Sequence, residues 1–134
     1  MPVIDTLVLF AAADSLDKLN EKGLKYLSEV NTHRKWFIPS FALLEFDLVL
    51  KSRGYSESDR MEKYVLLIND YPNIEKKMIP ITPRIIHETA RIESLYGIDY
   101  FDAGMIATAL ILDKKIATVD KKITKISEIE IVWE

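Results

Sequence analysis

The sequence predicts an α/β fold in which helices cover both faces of a mostly parallel sheet. Short apolar runs that suit inner strands are separated by longer stretches of helical period, in the order β-α-α-β-α-α-β-α-α-β-β. Parallel strands need such crossover connections. Acids also recur where strand candidates end, the edge at which open α/β sheets place their sites. With 134 residues, the chain fits a single domain over 1–134. A domain of that size buries roughly two-thirds of its unfolded surface, so a real core is expected.

The elements follow in order. Pro2–Ile4 reads as a short strand with Asp5 directly after it. Thr6–Ala13 is a helical run with Leu7, Phe10 and Ala11 on one face. Ser15–Val30 is a second helix, with Ser15 as N-cap and Leu16, Leu19, Leu24 and Leu27 at helical spacing. Trp36–Ile38 is a buried strand, and Pro39-Ser40 marks the junction to an apolar helix, Phe41–Lys51. Ser56–Tyr71 carries Met61, Val65 and Ile68 on one face, and Pro72 stops it. Met78–Ile81 is split by Pro80 and belongs at an edge. Thr82-Pro83 opens a helix to Tyr96 with a core face of Ile85, Ile86, Ile92 and Leu95. Gly97 ends it. Ala103–Leu112 carries no charge and reads as a helix buried on most sides. Ile116–Val119 is a short inner strand. A basic turn (Lys121, Lys122, Lys125) leads to a last strand, Ile129–Trp133.

Bulk properties bound the function. The chain is 49% hydrophobic and 29% charged, with 21 acids against 18 bases and a net charge of -3. A strongly basic coat is excluded. A nucleic-acid substrate is not, because a basic rim around an acidic, metal-loaded site suffices. Cysteine is absent, which removes disulfides and thiolate metal sites. No apolar run reaches the about 20 residues that span a bilayer. The first residues lack a basic n-region, so a signal peptide is not expected and the cytoplasm is the default location.

Five acids carry the chemistry, each with a plainer explanation beside it. Asp5 closes the first strand, where it could simply cap the next helix. Glu45 sits in an apolar helix between Leu44 and Phe46, unless it shares a solvated stripe with Asp47. Acids are rarely buried without a partner or a metal. Asp99 suits an N-cap, and Asp102 the first turn, where the helix dipole favours an anion. These two are three apart and share a helix face. Asp120, at the end of a strand, could be a turn residue. Acids crowded together repel unless a cation or protons neutralise them. All-oxygen ligation favours Mg²⁺ or Mn²⁺ over zinc.

VIDT at the first strand, LLEF in the middle helix, YFDAGMIATAL and TVD, in this order, resemble a PIN domain as found in VapC-type toxins and their archaeal relatives. The resemblance covers the whole chain. It implies a three-layer α/β/α sandwich with a central parallel sheet. It also implies a metal-dependent ribonuclease, with Asp5, Glu45, Asp102 and Asp120 as the catalytic and metal-holding acids. Thr6 and Thr118 match supporting hydroxyl residues, and Asp99 is kept as a helper. Lys35, Lys121, Lys122, Lys125 and Arg34 are candidates for holding RNA phosphates, although solubility alone explains such lysines. His33 and His87 receive no role. The resemblance further implies an RNA substrate, an antitoxin partner and a homodimer, the last also motivated by apolar residues on Thr6–Ala13 and Met61–Ile68. The competing reading is a PIN-like RNA-binding or assembly module without significant nuclease activity. A receiver-type signalling domain fits less well, because it wants adjacent acids after the first strand.

Overall fold

The computed structural model describes residues 1–32 and 35–134. Among these residues five strands form: β1 Val3–Ile4, β2 Ile38–Pro39, β3 Met78–Ile79, β4 Lys115–Ala117 and β5 Glu130–Val132. Among the same residues seven α-helices separate them: α1 Thr6–Ala13, α2 Asn20–Thr32, α3 Ser40–Ser52, α4 Glu57–Asp70, α5 Pro83–Tyr96, α6 Tyr100–Ile111 and α7 Lys121–Thr124. β1, β4 and β5 pair in parallel, as do β2 and β3. A parallel bridge between Val3 and Phe37 joins the two groups. The strands therefore run in spatial order β3-β2-β1-β4-β5, with β3 at an edge as Pro80 requires. From β1 the chain builds outward to β3, then returns to the other side of β1. Right-handed crossovers put the helices of the two halves on opposite faces. The reversal makes the gap between the carboxyl ends of β1 and β4 the switch point of the sheet.

Several expectations need correction. Helix α2 starts at Asn20, not Ser15, and Leu16 is 92% exposed. The carboxylates of Asp14 and Asp17 accept from the backbone N–H groups of Leu16 and Leu19 at 2.9 and 2.7 Å. These local bonds hold the segment in turns and outcompete the helix. In α5, Ile85, Thr89 and Ile92 form the buried stripe, whereas Ile86 and Leu95 face outward. Thr89 is tolerated there because its hydroxyl donates to the Ile85 carbonyl at 2.7 Å. Helix α4 buries none of its residues; Met61, Val65 and Ile68 are exposed. In α1, by contrast, Val8, Leu9 and Ala11 are core residues, so α1 supplies no free apolar face. The basic turn is the short helix α7, capped by the Asp120 side chain. Strand β4 stops at Ala117, which leaves Val119 exposed.

Helices α1 and α2 pack closely because Gly23 lets them. A Cβ at Gly23 would lie 2.6 Å from the Ala12 nitrogen and 2.9 Å from the Val8 oxygen. Backbone atoms cannot rotate away, so the helices would have to separate. Gly23→Ala gains about 1 kcal/mol of helix propensity, but overpacking costs up to about 3. The variant should be less stable by about 1 kcal/mol, read from its urea midpoint at unchanged m-value.

Candidate metal centre

Asp5 stands at the carboxyl end of β1. Its backbone conformation is that of an N-cap for α1, yet its side chain makes no capping hydrogen bond and meets only the first N–H of the helix, that of Thr6. Instead Thr118, just past β4, donates its hydroxyl to Asp5 Oδ2 at 2.6 Å. That bond ties the two central strands together across the switch point, and capping therefore does not explain Asp5. The residue is 3% exposed, and its pKa is raised to about 6. Burial is the main cause, resisted by the Thr118 bond and reinforced by the charges of Asp120 and Glu45.

Asp99 and Asp120 are true caps. Asp99 accepts from the Asp102 N–H at 3.0 Å, and Asp120 from the Lys122 N–H at 2.9 Å. Asp120 is also aimed from behind, since its own N–H donates to Thr118 Oγ1 at 3.0 Å. Capping fixes both carboxylates at helix entrances, near enough for their charges to act on Glu45 and Asp102. It does not compete with a second role there.

Glu45, on α3, and Asp99 and Asp102, at the start of α6, bring carboxylate oxygens within 4.8 Å of one another. This trio includes Asp99, which the resemblance left outside the core quartet. Asp5 and Asp120 adjoin it electrostatically, for their charges also act on Asp102. Asp102 is buried, with its pKa pushed up to about 8. Burial leads, followed by a hydrogen bond shared with Asp99 and the charges of Asp99, Asp120 and Asp5. Burial also raises Glu45, with the charges of Asp99 and Asp120 adding to it and Thr6 and Lys122 opposing it. Asp99 is the exception. Burial works against its ionisation, but bonds from the Asp102 side chain and N–H, with help from Lys122, hold its carboxyl below the usual range. The two carboxyls share a hydrogen bond, with Asp102, the more buried of the pair, shifted up and Asp99 shifted down.

Thr6 sits under the trio. Its hydroxyl lies 3.1 Å from Met105 Sδ and also neighbours Glu45. A hydroxyl has one proton, and a carboxylate is a stronger acceptor than a thioether. The proton belongs to Glu45 when that group is ionised. Met105 is a contact the sequence reading missed, although it lies three residues after Asp102 on the same helix face.

The basic candidates divide. Lys122 acts on both Glu45 and Asp99. Lys121 and Lys125 are exposed on or just after α7. Lys35 is ion-paired to Glu134 at 2.7 Å and lies over the Trp36 ring, so it is committed elsewhere. Arg34 and His33 fall outside the described residues. Asp47 is not part of a stripe with Glu45: Arg60 and Tyr64 hold it from α4 at 2.7 Å each.

A parallel sheet in the order β3-β2-β1-β4-β5, with carboxylates converging at its switch point, defines an acid-cluster α/β protein of the kind that can hold a hard divalent cation. The chain belongs to the PIN domain family, whose model matches residues 3–129. The fold is similar to a crystal structure of FitAcB from Neisseria gonorrhoeae, with a TM-score of 0.73 at 16% identity over 98% of this chain and 96% of that one. It is also similar to FitAB bound to an IR36 DNA fragment, with a TM-score of 0.70 at 18% identity over 98% and 94%. No curated protein matches by sequence.

Proposed function

We propose that this protein is a Mg²⁺- or Mn²⁺-dependent endoribonuclease and the toxin of a toxin–antitoxin pair. The observation that supports this most is the Glu45-Asp99-Asp102 trio, with Asp5 and Asp120 beside it. Burial and mutual repulsion oppose ionisation of Asp5, Glu45 and Asp102, a cation would relieve that repulsion, and the donors are all hard oxygens. When bound, such ions supply a water of lowered pKa and a clamp on the leaving oxygen of an in-line displacement. Glu45, Asp99 and Asp102 would hold them, with Asp5 and Asp120 completing the ring. Thr118 fixes the Asp5 carboxylate. Thr6 orients Glu45, and Lys122 stands where it can meet a substrate phosphate.

The test is cleavage of single-stranded and structured RNA with Mn²⁺ and with EDTA. Wild type should cut only with metal. Asp102→Asn should lose at least about a hundredfold in rate while keeping its far-UV circular dichroism. Cleavage in EDTA, or by the folded variant, would remove the reading in favour of a binding or assembly module.

The same reading includes partners. FitA accompanies FitB in the similar structures, which supports an antitoxin here. A cavity of about 230 Å³ lined by Leu9, Leu24, Leu43, Phe46, Leu66 and Tyr71 suits an apolar partner segment. A homodimer is supported by the outward face of α4, where Met61, Val65 and Ile68 are exposed. Light scattering at tens of micromolar should return twice the chain mass of 15.5 kDa, and Val65→Glu should return it to a monomer. Among the described residues no helix is long and apolar enough to cross a membrane; the cytoplasm is the proposed location.

A further inference from the structure

We propose that Tyr100 is a base-stacking platform at the mouth of the acidic cluster, taking one unpaired base of the RNA while Lys122 meets the neighbouring phosphate. This rests on the nuclease reading and names the residue that would hold a base of the substrate. Tyr100 is the first residue of α6, between Asp99 and Asp102. Residues 102–109 of that helix are buried without a break, yet Tyr100 is 46% exposed. Its ring is also fixed. It makes T-shaped contacts with the rings of Phe41 at 5.6 Å and Phe101 at 5.7 Å, at interplanar angles of 75° and 78°. A ring held by two others loses little freedom when a base arrives. Tyr26, Tyr64 and Tyr96 each engage their hydroxyl in a hydrogen bond. Among the described residues, the Tyr100 hydroxyl has no such partner. An exposed, immobilised aromatic beside a metal-holding cluster and an exposed lysine has the two features of a single-strand groove, a stacking face and a cation. Bases in an A-form duplex are stacked on one another and offer no free face, so the ring selects unpaired bases.

Steady-state cleavage of a dye-labelled single-stranded RNA octamer with Mn²⁺ tests this. The proteins are wild type, Tyr100→Ala, Tyr100→Leu, Tyr100→Phe and Tyr100→Trp. One stacked base corresponds to a change of at least about fivefold. Tyr100→Ala and Tyr100→Leu should raise KM by that factor or more, with kcat within about twofold of wild type. Tyr100→Phe and Tyr100→Trp should keep the wild-type KM, because they keep the ring. Leucine fills the space without a π face, so it separates stacking from packing if the alanine variant folds poorly. An unchanged KM in Tyr100→Leu, or a raised one in Tyr100→Phe, overturns the platform while leaving the nuclease intact. A change in oligomer mass without a change in KM also overturns it, assigning the ring to a protein contact. No RNA cleavage by wild type overturns the nuclease reading itself, and the platform with it.

Discussion

In EDTA at pH 9, Asp102→Asn should unfold at a higher temperature than wild type. The pKa of Asp102 is about 8 in the folded protein, against 3.8 for an unperturbed aspartate. Between those values the folded state holds a proton that the unfolded state has released. Wild-type stability without metal therefore falls as pH rises from about 4 to about 8, and the penalty is complete above that. Below about pH 4 both states are protonated and the penalty vanishes. Each pKa unit corresponds to about 1.36 kcal/mol. Because Asp99 and Asp102 share one proton, only part of the shift is expected as stability, about 2 kcal/mol or more. For a chain of this length that is at least about 5 °C. Asparagine removes the charge and can still donate an N–H to Asp99 in place of the shared proton. Asp5→Asn should act in the same direction over a narrower window, up to about pH 6. Metal should reverse the order. A cation at a hundredfold excess over its dissociation constant stabilises wild type by about 2.7 kcal/mol, and Asp102→Asn by less.

Asp47→Asn provides the contrast. Hydrogen bonds from Arg60 and Tyr64 lower the Asp47 pKa, so this acid stabilises the fold above its unfolded pKa and ceases to as pH falls. Its asparagine variant should be less stable at neutral pH, with the Mn²⁺ response of wild type. Parallel stability–pH curves for wild type and Asp102→Asn from pH 4 to pH 9 would mean that the carboxylates do not converge.

What could be read from the sequence depended on the range of the interaction. Helix α1 was legible to the residue, because apolar Thr6–Ala13 is bounded by Asp5 and Asp14. So was α5, where Thr82, Pro83 and Gly97 give local start and stop signals and Gly97 takes the positive φ of a C-cap. The start of α2 was local too, but Asp14 and Asp17 could cap or break, and spacing does not say which. The apolar stripe of α4 was visible and motivates the dimer, but whether it is covered was not, because a helix of this period looks the same whether its partner is its own core or another molecule. The acids divide in the same way. That Asp5 and Asp99 lie at helix entrances is local and was readable, whereas Asp120 reads as a strand end before a turn because the four residues of α7 are too few to show a helical period. That Asp5 takes the Thr118 hydroxyl is a contact across 113 positions, made only once β1 and β4 pair. The trio likewise exists because α3 packs on α6, and no property of either helix alone specifies that.

Gly104→Ala should lower stability by about 2 kcal/mol and blunt the response to Mn²⁺. A Cβ at Gly104 would stand 2.6 Å from Cγ and Cδ1 of Phe41 and 2.7 Å from Cδ2. The Phe41 ring cannot swing clear. It is 1% exposed and meets the rings of Tyr100 and Phe101 on its other sides. The added methyl must therefore push α3 away from α6. Alanine is the better helix former by about 1 kcal/mol, while a methyl forced into a closed core costs about 1–3 and occasionally more. The fixed ring places this site toward the upper end, so the clash wins. The displacement acts directly on the metal centre. Glu45 lies one turn beyond Phe41 on α3, and Asp102 two residues before Gly104 on α6. A spacer that widens the helix pair widens the Glu45–Asp102 gap, and a cation gains less by binding. Phe41→Leu makes room, so the double variant Phe41→Leu, Gly104→Ala should recover part of both losses, a coupling readable by a double-mutant cycle. The measurement is thermal unfolding of the four proteins in EDTA and in Mn²⁺. If Gly104→Ala melts above wild type and gains as much from Mn²⁺, the glycine is not what sets the distance between the carboxylates.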